Sequence, residues 1–282
     1  MEKLFSTPVI SISKDSSVFE ALQKMQLNLI KRVVIADGTK PIGIITERDI
    51  NKFLRGDKTA KAINEIPVKH VMEKNVVLII DHLEDDFYQC ASKMEHLGIG
   101  SVILVDKNGD LSGIVSRTDI VKAYANLFGG KYQVKEFMTP NLVTCRKSDS
   151  IKLVLQLIDQ NNVSRLIVID KNGSVCGIIS INTLMAHCDY FTRDGKNSRD
   201  YLIPSSKDIV VNDLLDESLV TIKENEDLAQ AASFMIKYKI SGIPVLDSNE
   251  KLSGLISKTD IVRAFSDVVP HEQLKLKYSE MY

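Results

Sequence analysis

The chain has 282 residues, of which 44% are apolar and 26% charged, and its net charge is −1. That length suits one large domain or two ordinary ones with a substantial core, while the charge balance excludes a protein drawn to nucleic acid or anionic membrane by net charge. No run reaches the ~18 apolar residues of a membrane span. MEKLFSTPVISIS has no long apolar stretch behind a basic start, so no membrane association is expected and the cytoplasm is the default location.

Along the chain the same succession of elements recurs four times. A short strand such as VISI (9–12) or LVTI (219–222) is followed by a helix. In LEDDFYQCASKMEHLG the residues Phe87, Cys90, Ala91 and Met94 keep helical spacing and Gly98 suits a C-cap. In SIKLVLQLIDQNN the residues Ile151, Val154, Leu155 and Ile158 do the same. Next come VVIADGTKPI (33–42), VILVDKNGDLS (102–112), LIVIDKNGSVC (166–176) and IPVLDSNEKLS (243–253), each a strand, an Asp-rich reversal and a second strand. These lead into GIITERDI (43–50), GIVSRTDI (113–120), GIISINTL (177–184) and GLISKTDI (254–261), and then into helices such as DIVKAYANL (119–127) and DIVRAFSDV (260–268).

The fold class is therefore α/β (α+β), built from four β-α-β-β-α repeats. The glycines that open the motifs lie 70, 64 and 77 residues apart. A unit of about 55 residues buries too little surface to stand alone, so the repeats should pair: one with two, three with four, into two modules. The expected boundaries are 1–58, 66–128, 134–189 and 213–270, with a loop at 190–212 and a C-terminal tail at 271–282.

Each motif carries a hydroxyl three places after its glycine: Thr46, Ser116, Ser180 and Ser257. Three carry an acid six places on, Asp49, Asp119 and Asp260, where the third repeat has Thr183. Two readings stand side by side. [ST]-x-x-[DE] where a strand meets a helix is a capping box, the hydroxyl at the N-cap and the acid at N3. An ionised carboxylate is equally suited to accept two hydrogen bonds from a vicinal diol, with a hydroxyl and helix-start N–H groups beside it for an anion. Gly43, Gly113, Gly177 and Gly254 would let a ligand approach the backbone closely.

Four β-α-β-β-α repeats closing on G-h-[ST]-x-x-D-h resemble the CBS domain, over nearly the whole chain. Two tandem repeats resemble a Bateman module. Four in one chain are similar to stand-alone prokaryotic CBS proteins and to the γ subunit of AMP-activated protein kinase. The resemblance implies a flat disc of two modules, with clefts that take AMP, ADP, ATP or S-adenosylmethionine. It implies that the motif acid binds the ribose hydroxyls, with the hydroxyl residue near the phosphate. It also implies that residues entering the partner repeat's middle strand face the motif.

On that basis Asp119 and Ser116 would face Lys31 and Arg32, and Asp260 and Ser257 would face Ser164 and Arg165; these are the two strong sites. Asp49 and Thr46 would face Gly100 and Ser101 without a partner cation. Thr118 and Thr259 belong to the same ligand set, and Ile44, Ile114 and Leu255 either line an adenine pocket or are strand core. The Thr183 motif is expected to be the weakest.

Cys90, Cys145, Cys176 and Cys188 form no C-x-x-C pair, so free thiols are expected, with a metal site at His187 and Cys188 as the alternative. No GxxxxGK[ST], HExxH or GxSxG stretch exists. The functional expectation is a non-enzymatic sensor that binds an adenosine-containing ligand, has no catalytic cofactor, and signals to a protein partner, with a homodimer admitted. The rival readings are a ligand-independent scaffold and, through RDGKNSR (193–199), a nucleic-acid regulator.

Overall fold

The structure is a computed structural model that describes residues 5–56, 61–81, 86–181, 183, 209–215 and 218–279. The stretch RDGKNSR, the His187–Cys188 pair and most of the 190–212 loop lie outside the described residues.

Four three-stranded sheets follow one plan, with the first strand parallel to the second and the second antiparallel to the third. Repeat one contributes β1 (Ser11–Ser13), β2 (Arg32–Asp37) and β3 (Lys40–Thr46); repeat two contributes β4 (Leu78–Ile80), β5 (Ser101–Val105) and β6 (Leu111–Ser116). Repeat three contributes β7 (Thr144–Arg146), β8 (Arg165–Ile169) and β9 (Val175–Ser180); repeat four contributes β10 (Ile222–Lys223), β11 (Gly242–Leu246) and β12 (Leu252–Ser257).

The local chemistry that shapes the hairpins of repeats two, three and four is repeated too. Asp106 Oδ1 accepts from the N–H groups of Asn108 and Asp110, Asp170 Oδ1 from those of Asn172 and Ser174, and Asp247 Oδ1 from those of Asn249 and Lys251, all at 2.8 Å. A carboxylate that holds two backbone donors fixes the reversal and hence the strand register. Each hairpin then shifts register beside its motif glycine, where Ile35 pairs Gly43, Leu104 pairs Gly113, Val168 pairs Gly177 and Val245 pairs Gly254.

The helices between first and second strands are α1 (Val18–Leu27), α3 (Asp86–His96), α6 (Ile151–Gln160) and α8 (Leu228–Lys237). Ser17 Oγ caps α1 from Glu20 N at 3.1 Å, and Ser150 Oγ caps α6 from Leu153 N at 3.3 Å. At the same point after each helix the chain takes a left-handed residue, Leu29, Gly98, Asn162 or Lys239, which reverses it toward the next strand. After the motifs come α2 (Glu47–Gly56), α4 (Arg117–Leu127) and α9 (Lys258–Ser279). Helix α9 continues through Pro270 into the segment expected to be a tail. The short helices α5 (Val134–Phe137) and α7 (Val211–Leu214) precede repeats three and four.

The chain divides into two compact units made of alternate repeats. Unit one is Met1–Val9, Val77–Leu142 and Val220–Tyr282, and so holds repeats two and four; unit two is Ile10–Val76 and Val143–Leu219, and holds repeats one and three. The sequence leads instead to grouping consecutive repeats. Helix burial explains the difference. In unit two, Val18, Ala21, Leu22 and Met25 of α1 share a core with Ile151, Val154, Leu155 and Ile158 of α6. In unit one, Ile120, Val121 and Tyr124 of α4 share a core with Ile261, Val262 and Phe265 of α9, and Phe128 packs edge-on against Phe265 at 5.6 Å. Each such side chain is worth about 1.5–3 kcal/mol when fully buried, so an apolar helix face dictates its neighbour. Among the described residues, no helix is long and apolar enough to cross a membrane.

Candidate functional site

All four motifs place their hydroxyl residue at the end of a strand and the residue six places after their glycine in the first turn that follows. In repeat one, Asp49 Oδ2 accepts from Thr46 N at 2.9 Å and Thr46 Oγ1 at 2.6 Å. In repeat two, Asp119 Oδ2 accepts from Ser116 N at 2.8 Å and Ser116 Oγ at 2.7 Å. In repeat four, Asp260 Oδ2 accepts from Ser257 N at 2.8 Å and Ser257 Oγ at 2.6 Å. The capping box is therefore real, and one oxygen of each carboxylate makes it. The second oxygen, Oδ1, takes no part in the cap; in Asp260 it lies 3.5 Å from the Arg263 guanidinium.

Repeat three makes the same cap with a single hydroxyl. Thr183 Oγ1 accepts from Ser180 N at 3.3 Å and lies 3.1 Å from Ser180 Oγ. These bonds are longer and neutral, and they occupy the only side-chain oxygen Thr183 has.

The motif glycines serve a different purpose from the one expected. A Cβ on Gly43 would lie 2.6 Å from Met72 Sδ, on Gly113 2.5 Å from Phe5 Cδ2, on Gly177 2.7 Å from Leu215 Cδ1, and on Gly254 2.6 Å from Met138 Sδ. The approach is filled by the protein itself, not left for a ligand. Each side chain belongs to a strap that runs ahead of another repeat and crosses this one. Ser6 exchanges both backbone bonds with Ile114 (3.1 and 3.2 Å), Glu73 with Ile44 (2.9 and 3.0 Å) and Thr139 with Leu255 (2.9 and 3.0 Å). Ile44, Ile114 and Leu255 are half-buried beneath these bridges. The straps were missed although LFST (4–7), VMEK (71–74), FMTP (137–140) and LLDE (214–217) recur at one place in the repeat.

The cations expected to meet phosphate gather in unit two. Lys31 and Arg32 enter β2 and Arg165 enters β8, with Ser164 exposed beside it. Surrounding protein lowers the pKa of the Lys31 ammonium; Glu47 opposes that shift, and the like charges of Arg165 and Arg32 add to it. Burial raises the Glu47 carboxyl, against the pull of Lys31 and Arg32. Arg48 reaches across to repeat three, where its guanidinium donates to Asn162 Oδ1 at 2.9 Å. Asp119 and Asp260 belong to unit one, so each acid and its expected cations fall in different units.

Within unit one, Thr118 and Thr259 are exposed on the first turns of α4 and α9. Lys258 Nζ donates to Thr118 Oγ1 at 2.9 Å, which joins the two motifs; the sequence reading did not single out Lys258. Cys90 and Cys145 are buried free thiols and Cys176 is a half-buried one. Among the described residues, no group of His, Cys, Asp and Glu is arranged to hold a metal.

Comparison with known proteins agrees with this repeat architecture. The CBS domain model matches residues 1–56, 68–126, 134–189 and 211–267. Protein MJ1225 of Methanocaldococcus jannaschii is 23% identical over 276 residues, covering 92% of this chain and 95% of its own. Its crystal structure superposes with a TM-score of 0.77 at 20% identity, covering 93% of this chain and 98% of that one. CBS domain-containing protein CBSX2 of Arabidopsis thaliana is 30% identical over 152 residues, 48% of this chain and 64% of its own. The four repeats, the matched fold and the family model lead to one conclusion: this chain belongs to the CBS domain family, with four CBS repeats of the kind that pair into Bateman modules.

Proposed function

We propose that the protein is a non-catalytic regulator that binds adenosine-containing ligands at the motif carboxylates and reports their presence to a protein partner. The observation that carries this reading is the division of labour within each acid: Oδ2 holds the cap while Oδ1 remains outside it. A ribose diol needs an acceptor already fixed in place, and the cap fixes the carboxylate through one oxygen; in Asp260 the other, Oδ1, lies 3.5 Å from the Arg263 guanidinium. Asp119 and Asp260 are the principal ribose acceptors, with Ser116, Thr118, Ser257 and Thr259 beside them. Asp49 with Thr46 is a third site, and the Thr183 motif is the weakest.

In unit two, where Arg32 pairs with Thr46 of the Asp49 motif, Lys31, Arg32 and Arg165 are cations suited to phosphate, which favours AMP, ADP or ATP over the sulfonium of S-adenosylmethionine for that motif. For a ligand to regulate anything it must favour one arrangement of the protein over another.

Titration calorimetry with AMP, ADP, ATP and S-adenosylmethionine tests this on the wild type, Asp119→Ala and Asp260→Ala. Each substitution is expected to remove one binding equivalent. Unchanged binding in both variants would sink the proposal.

A further inference from the structure

We propose that Arg263 is a latch on the motif of repeat four: it covers the Asp260 oxygen that a ribose would use and holds the strap at Phe137, so that a diol bound at Asp260 loosens that strap. The inference rests on the adenosine reading above and adds to it the way in which an occupied motif is sensed.

The geometry lies within unit one. A single guanidinium nitrogen, Arg263 Nη2, donates to the Phe137 carbonyl at 2.7 Å and lies 3.5 Å from Asp260 Oδ1. Arg263 Cζ also stands 5.4 Å from the centre of the Phe137 ring, a cation–π contact. Phe137 ends α5, and the next two residues form the strap: Met138 closes over Gly254, and Thr139 exchanges both backbone bonds with Leu255. One side chain thus joins the motif acid to the strap that crosses the same motif. Beyond the strap the chain leaves unit one after Leu142 and runs into β7.

Repeat four differs from its relatives at this point. The residue three places after the acid, or after Thr183 in its stead, is Lys52 in repeat one, Lys122 in repeat two and Ala186 in repeat three; Lys52 and Lys122 are exposed. Asp49 and Asp119 are half-buried, whereas Asp260 is only 6% exposed. Its Oδ2 is fixed by Ser257 N and Ser257 Oγ, and its Oδ1 faces a guanidinium whose side chain is 46% exposed. Phe137 is held in the core of unit one. Arg263 is therefore the part of this arrangement that can swing into water.

A diol reaches Asp260 through Oδ1, because Oδ2 already accepts two bonds. The ion pair that it must displace is long and open to water, and such pairs are weak. Two hydroxyls that donate to an ionised carboxylate form the stronger set. With Oδ1 taken, the guanidinium turns outward and the Phe137 carbonyl loses its 2.7 Å bond. Latch and ligand thus oppose each other: Arg263 weakens diol binding, and a bound diol loosens the strap by the same factor. Lys122, exposed on α4, sets no such condition at Asp119.

The test uses the full chain carrying Asp49→Asn and Asp119→Asn, whose amide oxygens keep the caps and leave Asp260 as the one motif carboxylate. Adenosine, which has no phosphate to attract a cation, is titrated by calorimetry while hydrogen exchange is followed at the Thr139 and Leu255 amides. Binding is expected to speed exchange at these two amides. Adding Arg263→Met should make their exchange fast before any adenosine is present, abolish the response, and tighten adenosine by roughly 2- to 5-fold. Adding Lys122→Met instead should change none of these. If adenosine binds and exchange at both amides is not faster, or if Arg263→Met leaves adenosine affinity the same or weaker, the latch alone is overturned. If adenosine does not bind, the ribose reading fails at this motif and the inference with it.

Discussion

Phe5 closes over Gly113: a Cβ at residue 113 would lie 2.5 Å from Phe5 Cδ2 and 2.6 Å from Cε2. The two residues stand more than a hundred positions apart, and the backbone of Ser6 is bonded to that of Ile114 beside them. The glycine exists to admit an aromatic ring.

Gly113→Ala should therefore destabilise the fold by about 1–3 kcal/mol, the usual cost of overpacking. Phe5→Ala should also destabilise, by leaving a cavity. Because the two side chains would occupy the same space, the double variant should lose less than the sum. Urea denaturation of the four proteins measures that coupling, and strict additivity would refute the contact.

Thr183→Asp should repair the third motif. The new carboxylate shortens the cap to Ser180 and places a charge at a helix N-terminus, which is worth about 0.3–1 kcal/mol. It also adds the oxygen that Thr183 lacks. Thermal melting should show the gain, and native mass spectrometry with AMP should show one further equivalent bound.

Tyr124→Phe should stabilise. Its hydroxyl is fully buried and has no hydrogen-bond partner among the described residues, whereas the matching position in repeat four is Phe265. An unsatisfied buried hydroxyl costs about 1–3 kcal/mol. Burial, with the charge of Asp227 beside it, raises its pKa above the ordinary 10.0. The unfolded chain therefore releases this proton first, and the wild type loses stability as pH rises above 10. Denaturation midpoints at pH 8 and pH 10.5 should fall less in Tyr124→Phe than in wild type.

Lys31→Met should raise the melting temperature at neutral pH while weakening ATP binding. Surrounding protein, with Arg165 and Arg32 nearby, outweighs Glu47 and lowers the Lys31 pKa below its ordinary 10.5. A depressed lysine pKa means that the charged form is disfavoured in the fold. The gain should appear where Lys31 is charged and vanish above about pH 10.5. Melting curves across pH, beside ATP titrations, would expose the trade of stability for anion affinity.

Much of the repeat was legible because its signals are local. Helical spacing marked α3 and α6, the Asp106 and Asp170 reversals marked their hairpins, and Ser116 with Asp119 announced a cap three residues long. The cap could not be told from a ribose acceptor at that level. Only the geometry separated the oxygens, giving Oδ2 to the cap and leaving Oδ1 outside it.

What the amino-acid order determined by itself was the repeat, the family, the motif acids and the exceptional Thr183. All of these depend on contacts within a few residues or within one hairpin. The tertiary structure alone decided which repeats share a core, what fills the space beside Gly43, Gly113, Gly177 and Gly254, and that Lys258 reaches Thr118. Those pairings join positions tens to more than a hundred residues apart. Their partners are chosen by which apolar faces and which straps meet when the chain folds, and no local periodicity encodes that choice.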